Sequence, residues 1–139
     1  MLVGCTASGQ EDAIAQVGRK LLELGAVEPE YLDAMHERER SVSTYLGEGV
    51  AIPHGTDASR KYVKRTALAI LQFREAVDWD GNDVRVCVGI AAKGSEQVGI
   101  LSSLARILMD GDQVRQLREA PDAETILRLL NEVDEEFSP

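Results

Sequence analysis

Of the side chains that can titrate near neutral pH without a large perturbation, this chain carries two, His36 and His54. They stand in different settings. His36 lies among Glu37, Arg38 and Glu39, in a pattern that makes it a solvated helix residue. His54 sits in Gly47-Glu48-Gly49-Val50-Ala51-Ile52-Pro53-His54-Gly55-Thr56, where proline forces Ile52 into an extended conformation and glycine frees the chain behind the ring. This places an exposed, rigidly held imidazole at a strand end. Such a ring attacks phosphorus in its neutral form and makes an N–P bond that is easily passed on. Judged alone, a histidine in a loop also fits a hydrogen-bonded structural role, and the residues leave both open.

The other reactive side chains assemble into nothing comparable. Cys5 and Cys87 are far apart and form neither a disulfide framework nor a CxxC pair. Asp57, Asp78, Asp80 and Asp83 lack metal-loop spacing, so no metal and no cofactor are expected. Ser41, Ser43, Thr44 and Thr56 offer hydroxyls that either orient the imidazole or cap turns. Trp79 serves packing or contacts a partner.

The elements that must position His54 are legible from periodicity. Ser8-Gly9-Gln10-Glu11 has capping-box spacing, and Ile14, Val17, Leu21, Leu22 and Leu24 continue as a helical stripe, which predicts a first helix from about Gly9 to Leu24. Pro29 opens a second helix with Tyr31, Leu32 and Met35 facing inward, ended by the charged run Glu37 to Arg40. Short β-prone pieces follow from Thr44 to Ile52. Thr66 to Phe73 and Val84 to Ala92 read as central strands buried on both faces, with Val77 to Trp79 a hairpin arm turning at Asp80-Gly81-Asn82. Ser95 can cap a helix running to about Gly111, and helices from Asp112 to Glu119 and after Asp122 complete the chain. Helices at both ends with strands between predict an α/β three-layer sandwich, a mixed β-sheet flanked by helices on both faces.

Length and composition bound the partners. The 139 residues fit one domain, 1–139. Fifteen Lys and Arg against 24 Asp and Glu leave a net charge of -9, which repels nucleic acid and anionic lipid alike. That acidity suits a soluble protein or one steered to a basic partner, and composition does not separate them. Leu2-Val3-Gly4-Cys5 has the outline of a lipoprotein cleavage box, but no basic and apolar leader precedes it, so targeting is not expected. With a mean hydropathy of -0.17 and apolar runs of a few residues, no membrane insertion is expected, and a reducing cytoplasm is the simplest home.

Arg38-Glu39, Thr44-Tyr45-Leu46-Gly47 and Val50-Ala51-Ile52-Pro53-His54-Gly55 together resemble enzyme IIA domains of the mannitol/fructose type, from the bacterial phosphoenolpyruvate-dependent sugar phosphotransferase system (PTS). The resemblance extends through Ala13-Ile14, Glu30-Tyr31, Val88-Gly89-Ile90-Ala91-Ala92-Lys93 and Ile100-Leu101, and is strongest to the mannitol branch in Ala51 to Thr56. It implies that His54 accepts a phosphoryl group from the phosphocarrier HPr and passes it to a cysteine of enzyme IIB. It further implies that Arg38, sixteen residues before His54, steadies the phosphoryl oxygens. Enzymes IIB and IIC would then lie on other polypeptides or elsewhere in a larger protein.

One position departs from the pattern. Where the family has a second histidine in a Glu-His motif, this chain reads Ser95-Glu96-Gln97-Val98. Gln97 keeps an amide donor but cannot become cationic, so charge stabilisation should weaken by on the order of 1 kcal/mol, several-fold in rate. The same substitution fits a regulatory member of the family that docks a partner according to its phosphorylation state.

Overall fold

The structure of the chain is a computed structural model. The structure describes residues 2–93, 99, 102, 106 and 110–119. The helix expected from Ser95, the one after Asp122, and Gln97 itself lie outside the described residues, apart from helical Gly99, Ser102 and Arg106.

Strand β1 (Leu2–Cys5) leads into α1 (Gln10–Glu23) and α2 (Glu30–Ser41). The short strands β2 (Tyr45–Gly47) and β3 (Val50–Ala51) follow, then a 3-10 helix (Asp57–Tyr62), the long strands β4 (Ala67–Trp79) and β5 (Asn82–Ala91), and α3 (Gly111–Glu119). The strands form one mixed sheet in the order β1-β4-β5-β3-β2. β1 and β4 are parallel, as are β3 and β5, whereas β4 with β5 and β2 with β3 are antiparallel.

The hairpin expected near Trp79 is larger than the apolar pattern implies. β4 runs unbroken through Arg74 and Glu75 to Trp79, because a bulge between Gln72 and Val77 absorbs the polar residues without ending the strand. It turns on two residues, Asp80 and Gly81, with φ of 53° and 91°, so Trp79 pairs directly with Asn82. Positive φ at both central positions is the type I′ signature that aspartate and glycine accommodate.

The sheet is buried on both faces. On one, Ala69, Leu71, Cys87 and Ala91 join Ile14, Val17 and Leu21 of α1 and Tyr31 and Met35 of α2 in the main core. On the other, Ile70, Val86, Val88 and Ile90 are each no more than 2% exposed. Burying an aliphatic side chain of this size contributes about 1.5–3 kcal/mol, so these strands anchor the molecule. Helix α1 approaches so closely that a Cβ on Gly89 would lie 2.8 Å from the Cβ of Val17. The buried double-faced strands and flanking helices make the α/β sandwich expected from the order of elements.

The start of α1 differs from expectation. Gly9 is its N-cap and no side chain caps it; instead the amide of Ser8 donates to Oδ2 of Asp12 at 3.0 Å. The Asp12 carboxylate takes the part expected of Glu11, reaching back to an amide ahead of the helix, and it sits favourably at the positive end of the helix dipole. At α3 a side chain does cap the helix: Oδ1 of Asp110, just ahead of it, accepts from the amides of Asp112 and Gln113 at 3.0 and 3.1 Å.

Candidate functional site

His54 lies where β3 leaves the sheet. Val50 and Ala51 pair with Val86 and Cys87, and His54 keeps the same register by bridging Ile90 in parallel after Pro53 interrupts the ladder. Pro53 has no N–H to donate, but its carbonyl accepts the amide of Ile90 at 2.9 Å, so the chain stays fastened to β5 up to the histidine.

The ring is held by its inner nitrogen. Nδ1 of His54 is 2.8 Å from the carbonyl oxygen of Ile52. A carbonyl only accepts, so Nδ1 carries the hydrogen, and in the neutral ring the lone pair is on Nε2. Nε2 has no partner among the described residues. Sequence pattern alone predicts an exposed imidazole; the structure corrects this, because His54 is only 7% exposed. Burial lowers its pKa below the usual 6.5, with the Arg38 guanidinium acting the same way, while the Ile52 hydrogen bond, Glu39 and Asp57 oppose the shift. The net effect keeps the ring neutral at physiological pH. That is the state in which Nε2 can act as a nucleophile.

Glycine after the histidine has a different reason from the expected freedom. Gly55 is not at positive φ. A Cβ there would collide with Oγ of Ser59 and come within 2.6 Å of the Tyr31 ring. Tyr31 has to be that close because its hydroxyl accepts the Gly55 amide at 2.9 Å and donates to the Ile90 carbonyl at 2.8 Å. Its phenol is 3% exposed, and burial raises its pKa, so it remains a donor at any physiological pH.

Helix α2 brings Arg38 to the site. Nη1 of Arg38 donates to the carbonyl of Val42 at 2.6 Å, past the end of the helix, and its charge reaches His54. No ion pair with Glu37 or Glu39 is present among the described residues. Of the hydroxyls considered near His54, those of Thr44 and Ser43 bind elsewhere, and Thr56 is engaged through its carbonyl. Thr44 Oγ1 makes a short hydrogen bond to Oε2 of Glu39, Ser43 Oγ accepts the amide of Tyr45 at 3.2 Å, and the Thr56 carbonyl accepts from Ser59 Oγ at 2.6 Å. Trp79 is fully buried and donates Nε1 to Oε1 of Glu39 at 2.7 Å, which assigns it to packing. His36 is half-buried beside a cleft lined also by Gln10, Glu39 and Arg40.

Sequence reasoning misses Tyr31 and Glu39 as site-building residues. Periodicity makes Tyr31 an inward-facing core residue and Glu39 part of a charged helix end. A signal is there nonetheless: Tyr31, Met35 and Glu39 recur at four-residue spacing, so the carboxylate lies on the same buried stripe as the other two side chains.

Among the described residues no group of His, Cys, Asp and Glu could hold a metal ion. Both cysteines are free; Cys87 is buried. The arrangement offers a neutral, oriented imidazole with an arginine charge at hand, which suits transfer of an anionic group.

Comparison with known proteins agrees with this chemistry. A family model described as "Phosphoenolpyruvate-dependent sugar phosphotransferase system, EIIA 2" matches residues 2–133. The mannitol-specific phosphotransferase enzyme IIA component of Halalkalibacterium halodurans is 44% identical over 133 residues, covering 96% of this chain and 92% of that protein. The mannitol-specific EIICBA component of Pasteurella multocida is 40% identical over 94% of this chain but only 22% of its own length. A chain in the NMR structure of the complex of enzyme IIAMTL and phosphorylated enzyme IIBMTL from Escherichia coli superposes with a TM-score of 0.85, at 34% identity and with 94% of each chain covered. The chain belongs to the EIIA 2 family of the phosphoenolpyruvate-dependent sugar phosphotransferase system.

Proposed function

We propose that this chain is a phosphoryl carrier of mannitol-type uptake, taking the group from phospho-HPr on Nε2 of His54 and passing it to a cysteine of enzyme IIB. The observation that carries this reading is the 2.8 Å contact between Nδ1 of His54 and the Ile52 carbonyl. It commits the proton to the inner nitrogen and the lone pair to the outer one. In the first transfer that lone pair forms the N–P bond while the donor's bond to phosphorus breaks and its electron pair leaves with the donor. The second transfer repeats this with a IIB thiolate as nucleophile and His54 as leaving group. Arg38 steadies the phosphoryl oxygens, and Gln97 supplies an amide where relatives have a second histidine.

The reaction asks little of the protein beyond positioning and charge. The fused IIC, IIB and IIA arrangement in the Pasteurella relative and the IIA–IIB complex from Escherichia coli support enzyme IIB as the recipient here. No helix among the described residues is long and apolar enough to cross a membrane. Residence in the cytoplasm, with access to the membrane through IIB and IIC, accords with that, as does a single folded domain over residues 1–139.

Incubation with enzyme I, HPr and phosphoenolpyruvate, followed by intact-protein mass spectrometry, should add one phosphoryl group to the parent and none to His54→Ala. Failure of the parent to gain the group sinks the carrier reading. Phosphorylation with no onward transfer to a mannitol-type IIB would instead mark a regulatory member.

A further inference from the structure

We infer that Glu39 is a positioning residue for His54, acting through a relay of hydrogen bonds that ends on the inner nitrogen of the imidazole. The inference rests on the carrier reading above for its kinetic consequence, though not for its structural one.

Glu39 is a carboxylate only 7% exposed. Burying such a group is costly unless donors replace the water it loses. Those donors arrive from three segments: Gln10 Nε2 of α1 at 3.0 Å, Trp79 Nε1 of β4 at 2.7 Å, and both the amide, at 3.0 Å, and the hydroxyl of Thr44. None of them is a cation, so the charge is solvated by the protein without being neutralised. Its field therefore extends to its surroundings.

The relay begins at Thr44. With its amide and hydroxyl both on Glu39, the Thr44 carbonyl is fixed and accepts the amide of Ile52 at 3.0 Å. The carbonyl of that same Ile52 residue receives Nδ1–H of His54 at 2.8 Å. Within Thr44 and within Ile52 the donor and the acceptor lie on either side of one Cα, so the relay acts by position. Glu39 fixes Thr44, Thr44 fixes the Ile52 amide, and the Ile52 carbonyl is thereby held where it meets Nδ1–H. When Nε2 gives its lone pair to phosphorus, positive charge grows on the ring. The Nδ1–H···O=C bond, held in place by the relay, and the nearby carboxylate both favour that change.

Arg38 is adjacent in sequence to Glu39 and bonded to the Val42 carbonyl, so the segment from Arg38 to Thr44 is clamped at both ends. Among the described residues, the charged groups acting on His54 are Arg38 and Glu39 on α2 and Asp57 on the 3-10 helix, and the titratable phenol of Tyr31 packs against Gly55 beside it. Around the carboxylate stand Glu11 of α1, His36 and Arg40 of α2 and Asp80 of the turn, with Cys87 of β5 in reach of its charge. Glu39 raises the proton affinity of His54, against Arg38.

The test is Glu39→Gln, read by nitrogen NMR of the His54 ring across a pH titration of the unphosphorylated protein, and separately by the rate of phosphorylation from phospho-HPr. A lower His54 midpoint, a smaller Nδ1–H fraction and transfer slowed on the order of tenfold are expected. Leu21→Ala, a core truncation remote from the relay, serves as the stability control and should leave the midpoint and tautomer at parental values. Should Glu39→Gln not fold, Thr44→Val removes the hydroxyl donor while keeping the peptide, and is expected to reduce the Nδ1–H fraction. A folded variant with parental midpoint and tautomer, or an equal change in Leu21→Ala, overturns the inference. Because the NMR measurement needs no phosphate, a parent that fails to accept phosphate would refute the carrier reading alone, and the midpoint and tautomer would still decide the role of Glu39.

Discussion

The hydroxyl of Tyr31 accepts the amide hydrogen of Gly55 at 2.9 Å, which ties the residue after His54 to helix α2. The same hydroxyl donates to Ile90, the β5 residue that His54 bridges, so one phenol fastens both sides of the histidine's backbone. Tyr31→Phe strands a buried amide and a buried carbonyl and is expected to cost about 2 kcal/mol, measured as a lower urea midpoint with an unchanged slope. An unaffected midpoint would show that water replaces the hydroxyl.

Gly55→Ala should be worse tolerated than its small size suggests. The added methyl meets the ring of Tyr31 at 2.6 Å and the Ser59 hydroxyl, with backbone ties on either side that prevent retreat. A loss of about 1–3 kcal/mol is expected, together with a shifted His54 ring resonance. Gly9→Ala, with nothing within 4 Å of the added carbon, is the comparison that should leave that resonance in place.

Burial holds the His54 pKa below its ordinary 6.5, so the folded ring resists a proton that the unfolded chain accepts. The unfolded state therefore binds more protons once pH falls below 6.5, and stability drops from there until the folded-state pKa is reached. Above 6.5 both states are neutral and the effect vanishes. Urea midpoints compared between about pH 7.5 and 5.5 should fall in the parent and fall less in His54→Gln. Identical slopes for the two proteins would contradict the assignment.

Arg38→Ala removes a positive charge that opposes protonation of His54, so the ring's midpoint should rise by NMR. If Arg38 steadies the phosphoryl oxygens as proposed, its loss should also slow transfer on the order of a hundredfold. Arg38→Lys keeps the charge but not the fork, and should leave the midpoint near parental while still slowing transfer. Equal rates in all three proteins would remove Arg38 from the site.

On the carrier reading, Gln97→His should speed phosphoryl transfer several-fold with an unchanged fold, since it restores a ring that can become cationic at the position where the family pattern has a second histidine. Stopped or quenched-flow measurement of phosphorylation by phospho-HPr decides it; parental rates would make Gln97 a bystander.

Burial pushes the Cys87 thiol far above its usual range, with the Glu39 charge adding to the effect. Burial also raises Cys5, but that side chain is only partly covered. A thiol reagent near neutral pH should therefore label Cys5 slowly in the native protein and Cys87 only after denaturant is added. Native labelling of Cys87 would show that the strand layer opens.

Much of the molecule follows from local pattern. Period-3.6 stripes place α1 and α2, double-faced apolar runs place β4 and β5, and Pro53 before His54 puts an imidazole at a strand end. These features depend on backbone sterics and on which face of an element is apolar, both of which are written along the chain. The strand carrying Arg74 and Glu75 escapes that logic because a bulge hides polar residues from an alternation rule.

The residue types around Pro53-His54-Gly55 are enough to place an imidazole in a stiff turn and, with the neighbouring motifs, to point to the family of the chain, while on their own they leave a structural and a nucleophilic role for it open. That the ring is buried, that Nδ1 faces Ile52, that Tyr31 requires Gly55, and that Glu39 is a hub rather than a surface charge emerge only once the chain is folded. Each of these depends on segments distant in sequence meeting in space, such as Tyr31 with Ile90 and Glu39 with Trp79. Hydrogen-bond satisfaction and desolvation are properties of that meeting, and no single segment carries them.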